Sequence, residues 1–272
     1  MSQVSVIIPT YNRGWILRDA IDSVMAQDYK DYELIVVDDG STDNTPEILK
    51  NYPDIIVLKQ KNRGVSAARN AGVQISKADN IAFLDSDDLW LPGKLQSQFN
   101  FFNTNPSAQI CQTEEIWIRN GVRVNAKKRH RKQQGMIFDR CLDLCIISPS
   151  AVMMKKSLFI KVGGFDETLP ACEDYDLWLR IASWCPVYLI EEALIIKRGG
   201  HSDQLSKIPG LDRFRIRALK KLLDSGSLKS KQHEAAIKTL QEKCEIYATG
   251  CLKRGRVEEA KEYLQIPKRY SS

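Results

Sequence analysis

Ile81-Ala82-Phe83-Leu84-Asp85-Ser86-Asp87-Asp88 is an apolar run of strand length that ends abruptly in three carboxylates. Val4–Ile8, Glu33–Val37 and Ile55–Leu58 share its texture. Such near-continuous aliphatic runs are what strands covered on both faces require. Between them the apolar residues switch to helical spacing. Residues 15–26 place Ile16, Leu17, Ala20, Ile21, Val24 and Met25 three and four apart, and 44–51 and 65–76 repeat the pattern. The alternation predicts a βαβαβαβ unit, an α/β fold on a mostly parallel sheet that binds ligands at the carboxyl ends of its strands.

Downstream the texture changes. Pro92 opens a helix marked by Leu95, Phe99 and Phe102, then Ile110–Ile118, Asn120-Gly121 and Val122–Val124 read as a β-hairpin, so the sheet becomes mixed. Lys127–Lys132 (KKRHRK) reads as an exposed, mobile loop, with binding of an acidic ligand as the alternative. Ser150–Met154 is a strand, Tyr175–Trp184 a helix, and Val187–Ile190 and Ala193–Ile196 two further strands. From Leu211 strands cease: Leu211–Leu223, Lys231–Thr249 and Val257–Leu264 form a helical appendage. Ala248–Leu264 has the texture of one tetratricopeptide-type hairpin, but such repeats need about three neighbours to bury a core. The expected division is residues 1–205 and a helical extension, 206–272.

The chain of 272 residues carries +6, and the excess is local. Residues 1–205 hold 24 basic and 26 acidic side chains, residues 206–272 hold 16 and 8. The tail is read as a solvated lysine-rich hairpin, with peripheral contact to an acidic membrane surface as the alternative. No run approaches the ~20 apolar residues of a membrane span, and the first residues lack a basic leader, so the chain is expected in the cytoplasm, including the inner face of a membrane. The seven cysteines lack metal-site spacing and are expected to be reduced, mostly buried thiols.

The acids fall where this sheet would present them to a ligand. Asp38-Asp39 follow Glu33–Val37, Asp85 to Asp88 follow Ile81–Leu84, and Glu173-Asp174 begin a later helix. Crowded carboxylates cost free energy unless a cation offsets them, and hard oxygen ligands suit Mg²⁺ or Mn²⁺ with phosphate oxygens and water in the remaining positions. Asp39-Gly40-Ser41-Thr42-Asp43 would serve equally to turn the chain and cap the next helix.

These stretches, with Val4 to Arg13 (VSVIIPTYNR), Asn62 to Asn70 (NRGVSAARN), Gly163 to Glu167 (GGFDE) and Glu173 to Arg180 (EDYDLWLR), resemble in order the signatures of family 2 glycosyltransferases. The resemblance spans residues 3 to about 205. It implies a GT-A type, Rossmann-like mixed sheet flanked by helices, and inverting, metal-dependent transfer of a sugar from a nucleotide-diphosphate donor, a UDP-sugar, to a glycan or lipid-linked glycan hydroxyl. It would place Thr10 and Tyr11 around the base, Asp39 at the base edge, Arg69 near the nucleotide or diphosphate and Asp85 near the ribose. Asp87 would bind metal, with Asp88 leaving the register open by one, and Asp174, beside Glu173, would be the general base. His201 resembles a family histidine that approaches the metal or diphosphate, though a loop histidine is as readily just exposed; Arg198 is a candidate phosphate ligand. Trp90 and Trp178 would stack on a sugar or belong to the core; Trp117 packs in the hairpin.

Two other classes make different demands. A non-catalytic nucleotide-sugar-binding or assembly module would be expected to have lost one of Asp39, Asp87 and Asp174, and all three are present. A nucleotide-binding oxidoreductase calls for Gly-x-Gly-x-x-Gly after the first strand, and Pro9 to Gly14 does not supply it. No nucleic-acid partner is expected, because neither basic stretch interleaves aromatics.

Overall fold

The computed structural model describes residues 2–125, 127–201 and 204–270. Its centre is a nine-stranded mixed sheet. Four parallel strands lie in the order β3 (Ile56–Lys59), β2 (Tyr32–Asp38), β1 (Val4–Thr10) and β4 (Asn80–Phe83). Beyond β4 come β8 (Val152–Lys155), antiparallel, then β6 (Ile110–Arg119), β9 (Tyr188–Gly199) and the short β5 (Leu89–Trp90). The predicted hairpin is present: β7 (Val122–Val124) returns along β6 through Asn120 and Gly121, both at positive φ as a tight primed turn requires.

Every residue of β1 is buried, and its alternation supplies both faces. Val4, Val6 and Ile8 meet α1 (Leu17–Met25) and α4 (Lys94–Thr104), while Ile7 faces α3 (Val65–Ile75). Gly72 of α3 allows the close approach, since a Cβ there would stand 2.5 Å from Ile7 Cγ2. Each fully buried aliphatic side chain contributes roughly 1.5–3 kcal/mol. α2 (Thr45–Leu49) lies between β2 and β3 in the chain.

The second face is deeper. α5 (Phe138–Asp143), α6 (Lys156–Lys161) and α7 (Glu173–Ala182) pack there. α8 (Asp212–Asp224), α9 (Ser230–Leu252) and α10 (Val257–Gln265) add Ile216, Leu219, Leu240 and Tyr247 to the apolar cluster that holds Tyr175 and Trp178.

Two local expectations are corrected. Val187–Ile190 and Ala193–Ile196 are one strand, β9, whose ladder with β6 shifts register around Glu114; the bulge leaves Glu191 and Glu192 exposed between half-buried Tyr188 to Ile190 and buried Leu194-Ile195. KKRHRK is not simply an exposed loop: Lys128–His130 form a 3₁₀ turn, and Lys132 is buried, 3.2 Å from Glu115. All seven cysteines are free, and Cys145 and Cys172 are only partly buried. No helix among the described residues is long and apolar enough to cross a membrane.

Candidate active site

Parallel pairing fixes the floor of the site. Thr10 pairs with Asp38, and the Leu84 amide donates to the Ile7 carbonyl, so β1, β2 and β4 release their chains at one edge. Asn12, at φ 52°, ties two of these loops: its Oδ1 accepts from the amides of Thr42 (2.8 Å) and Asp43 (3.3 Å). Asp43 accepts from the amides of Gly14 and Thr45, both at 3.0 Å. Burial pushes the Asp43 carboxyl up, but these bonds outweigh it and its pKa is lowered. The turn reading of 39–43 is therefore realised.

Asp39 is buried and braces the next loop, accepting from Gln60 Nε2 (2.6 Å) and the amides of Arg63 (3.0 Å) and Gly64 (2.8 Å). Gly64 then starts α3 at φ 90°, a conformation glycine tolerates. Thr10 Oγ1 and Ser66 Oγ are buried with no hydrogen-bond partner among the described residues. Tyr11 is 45% exposed.

The acidic loop after β4 divides into distinct roles. Asp88 is buried; its carboxylate accepts from Ser150 Oγ (2.7 Å) and the Arg198 amide (2.9 Å). Burial first, then Asp87 and Asp85, raise its pKa well above the ordinary value. Ser150 Oγ also accepts the Asp85 amide at 3.1 Å, so one hydroxyl fixes both ends of the loop. These bonds make Asp88 a brace of the loop. Asp87 meets Arg13 Nη1 at 3.3 Å. Burial and Asp85 raise the Asp87 carboxyl, against the pull of Arg13 and His201.

Arg69 joins the two halves. Buried, it reaches Asp85 at 2.6 Å and Glu173 at 2.8 Å, with its guanidinium 4.9 Å from the centre of the Phe165 ring. Burial works against its charge, but the two acids more than compensate and raise its pKa. Glu173 is raised by burial and by Asp174, against Arg69. Asp174, partly buried at the start of α7, accepts from Cys145 Sγ at 3.2 Å and from the Tyr175 amide at 2.7 Å. Burial and the Asp174 charge hold the Cys145 thiol well above its usual pKa, so it stays a donor. Beside this wall, Gly163 to Glu167 line a cavity of about 320 Å³ with Arg180 and Lys221.

Arg198 holds the acidic loop rather than standing free: its Nε donates to the Asp87 carbonyl (2.6 Å) and its Nη1 to Asp19 (2.7 Å). His201 packs edge-on to Trp15, ring centres 4.9 Å apart, and its Nε2 is buried without a hydrogen-bond partner. Ser202 and Asp203, which complete its loop, lie outside the described residues. A carboxylate and an unpartnered imidazole nitrogen form a donor set suited to Mn²⁺ or Mg²⁺, the rest of the shell coming from phosphate and water. No cluster of three or more His, Cys, Asp or Glu ligands is found among the described residues.

Residues 5–163, more than half of the chain, match the model of Glycosyl transferase family 2. The chain belongs to that family. An uncharacterized glycosyltransferase of Rickettsia typhi is 36% identical over 201 residues, covering 72% of this chain and 63% of that protein. The chain thus spans less than two thirds of that relative's length. WfaP of Escherichia coli, named a UDP-Glc:alpha-D-GlcNAc-diphosphoundecaprenol beta-1,3-glucosyltransferase, is 32% identical over 191 residues, 67% of this chain and 71% of that one. The crystal structure of S. aureus TarS 1-349 in complex with UDP-GlcNAc superposes with a TM-score of 0.66 over 98% of this chain and 92% of that one. Its 16% identity makes it a likeness of fold, and it confirms the expected GT-A architecture of the family.

Two of the aromatic readings resolve toward the core. Trp178 is 1% exposed and packs edge-on to Phe165, so it offers no face to a sugar. Trp90 is buried, donates to the Ser150 carbonyl at 2.9 Å and lies 3.6 Å beneath Lys94 Nζ. Arg13, Trp15, Cys145 and Ser150 contact candidate residues of the site, and sequence reasoning did not single them out. Arg13 lies inside the quoted VSVIIPTYNR motif; the other three carry no local signal.

Proposed function

We propose that this chain is an inverting, metal-dependent glycosyltransferase that moves a sugar from a UDP-sugar to a hydroxyl of a glycan or lipid-linked glycan. The observation that supports the reading is the Asp85–Arg69–Glu173 bridge, which ties the loop that carries Asp87 to the start of α7, where Asp174 follows Glu173. The names of WfaP and of the TarS complex support a uridine donor, and that of WfaP an undecaprenol-linked acceptor.

Thr10 and Tyr11 would frame the base, the exposed Tyr11 ring giving a stacking face. A carboxylate accepts about four hydrogen bonds, so Asp39, with three donors from its own loop, has one direction left for the base edge. Asp85, oriented by Arg69, would meet the ribose. Asp87 and His201 Nε2 would hold the divalent cation; the Arg13 charge beside Asp87 favours its ionised form. The bound cation supplies Lewis-acid stabilisation for the charge that develops on the departing diphosphate. Asp174 takes the acceptor hydroxyl proton as that oxygen bonds to the anomeric carbon, from the face opposite the diphosphate, and configuration inverts. No covalent enzyme intermediate is needed. The basic 206–272 segment would meet an acidic membrane surface.

The test is a panel of nucleotide sugars with a diphosphate-linked lipid acceptor. Wild type should transfer from one uridine donor; Asp174→Asn should bind that donor as well as wild type and lose about 10²–10⁴-fold in transfer. Undiminished transfer by the variant would reassign the base.

A further inference from the structure

The helices of 206–272 present one exposed turn of unusual chemistry on the same side as Asp174. α8 begins beside Cys172 at the start of α7, where Leu211 O accepts from Cys172 Sγ. α9 begins at the opposite end, its Gln232 donating to the Ser183 carbonyl just past α7. It then runs back along α8: Lys243 comes within 3.9 Å of Asp212, the first residue of α8, and Tyr247 packs against Gly210. Ala248–Leu252 continue past that level, about 7 Å at the helical rise. The connection to α10 therefore projects on the side where α7 starts and Asp174 lies.

That connection is Leu252-Lys253-Arg254-Gly255-Arg256-Val257, every residue of it exposed. Leu252 is 51% and Val257 46% exposed, two aliphatics flanking three cations. The acids nearby are already paired, Glu258 with Lys261 (2.8 Å) and Glu259 with Arg256 (2.9 Å). Lys253 and Arg254 have no ion-pair partner among the described residues. Gly255, at φ 73°, makes the turn tight enough to present both aliphatics at one tip. A compact cationic tip with two apolar side chains is complementary to an anionic bilayer, where lysine and arginine sit among headgroups and aliphatics enter the acyl boundary.

We propose that Leu252–Val257 is a docking tip for an anionic phospholipid surface, and that docking turns the Asp174 side of the protein toward the bilayer. The docking narrows the membrane contact proposed above to one turn, and the orientation rests on the functional reading of Asp174. Each basic residue near an anionic surface is worth about fivefold in partition, so neutralising three should cost about 100-fold.

The experiment is sedimentation of the full chain with vesicles of phosphatidylcholine alone or with 30 mol% phosphatidylglycerol, roughly physiological salt being used throughout. Wild type should pellet with the anionic vesicles and not the neutral ones. Lys253→Gln/Arg254→Gln/Arg256→Gln should bind about 100-fold more weakly, and Leu252→Ser/Val257→Ser should also weaken binding with no charge change. Unaltered melting and UDP binding in solution would show that both variants remain folded. Wild type left in the supernatant with anionic vesicles would overturn the proposal and leave the tip to a protein partner; a triple variant that pellets like wild type would overturn it too. Docking without transfer from any donor would sink the functional reading alone.

Discussion

Replacing Arg69 with methionine keeps most of the side-chain volume and deletes the charge between Asp85 and Glu173. Glu173 is almost wholly buried and Asp85 about a quarter exposed. Breaking a buried ion pair by removing one partner costs about 3–5 kcal/mol, because the other charge is left uncompensated. Water reaches Asp85, so most of the loss is expected from Glu173. At the specific unfolding entropy of globular proteins, that is roughly 5–9 °C in Tm. The loss should shrink on acidification: burial already raises Glu173, removing Arg69 raises it further, and a carboxyl whose folded pKa lies above its unfolded value gains folded-state stability as pH falls through the folded pKa. Adding Glu173→Gln should recover part of the deficit at neutral pH. Thermal melts of the wild type, the single variants and the double variant between pH 5 and 8 measure this. A single variant that melts within 2 °C of wild type at pH 7, or a deficit that grows on acidification, would refute the reasoning.

Glu115 is buried and its pKa falls to about 2, because Lys132 and Lys197 outweigh the burial that raises it. Its contribution, about 3 kcal/mol from the size of that shift, should be complete above the unfolded glutamate pKa and vanish as pH falls toward 2. Urea titrations across pH should show that slope in wild type and a reduced one in Glu115→Gln. Ser150→Ala leaves the buried Asp88 carboxylate without one donor and frees the Asp85 amide; about 1–3 kcal/mol of stability should be lost in the same titration. Cys145→Ala removes the thiol that orients Asp174, a weak donor worth about 1 kcal/mol, so kcat should fall roughly fivefold with donor KM unchanged. Cys145→Ser, which keeps a donor, should restore it; equal loss in both variants would make Cys145 a packing residue only.

Much of the sheet was legible because β1, β2 and β4 are aliphatic runs whose polar residues begin where the strands end. The same pattern exposed Asp38, Asp39 and Asp85 to Asp88, since a carboxylate that follows a buried strand has one edge of the sheet to occupy. What it could not show was which carboxylate the fold uses as a brace. The part Asp88 plays depends on Ser150, in the turn before β8, and on the Arg198 amide of β9, which hold it. Trp178 was ambiguous for a different reason: nearly every face of α7 is buried, so helical spacing could not separate core from site. Glu191-Glu192 split β9 in the sequence reading because a bulge is local in the ladder and invisible in the residue pattern. KKRHRK misled because Lys132 finds Glu115 across β6, a pairing set by tertiary contact rather than by neighbours in the chain.

The central claim is that the chain neutralises a departing diphosphate with a cation held by Asp87. Thermal stabilisation by UDP, with Mn²⁺ or with excess chelator, tests it in wild type and in Asp87→Ala. Stabilisation should require Mn²⁺ in wild type and disappear in the variant. Equal stabilisation in chelator, or an Asp87→Ala protein that responds to UDP and Mn²⁺ like wild type, would contradict it.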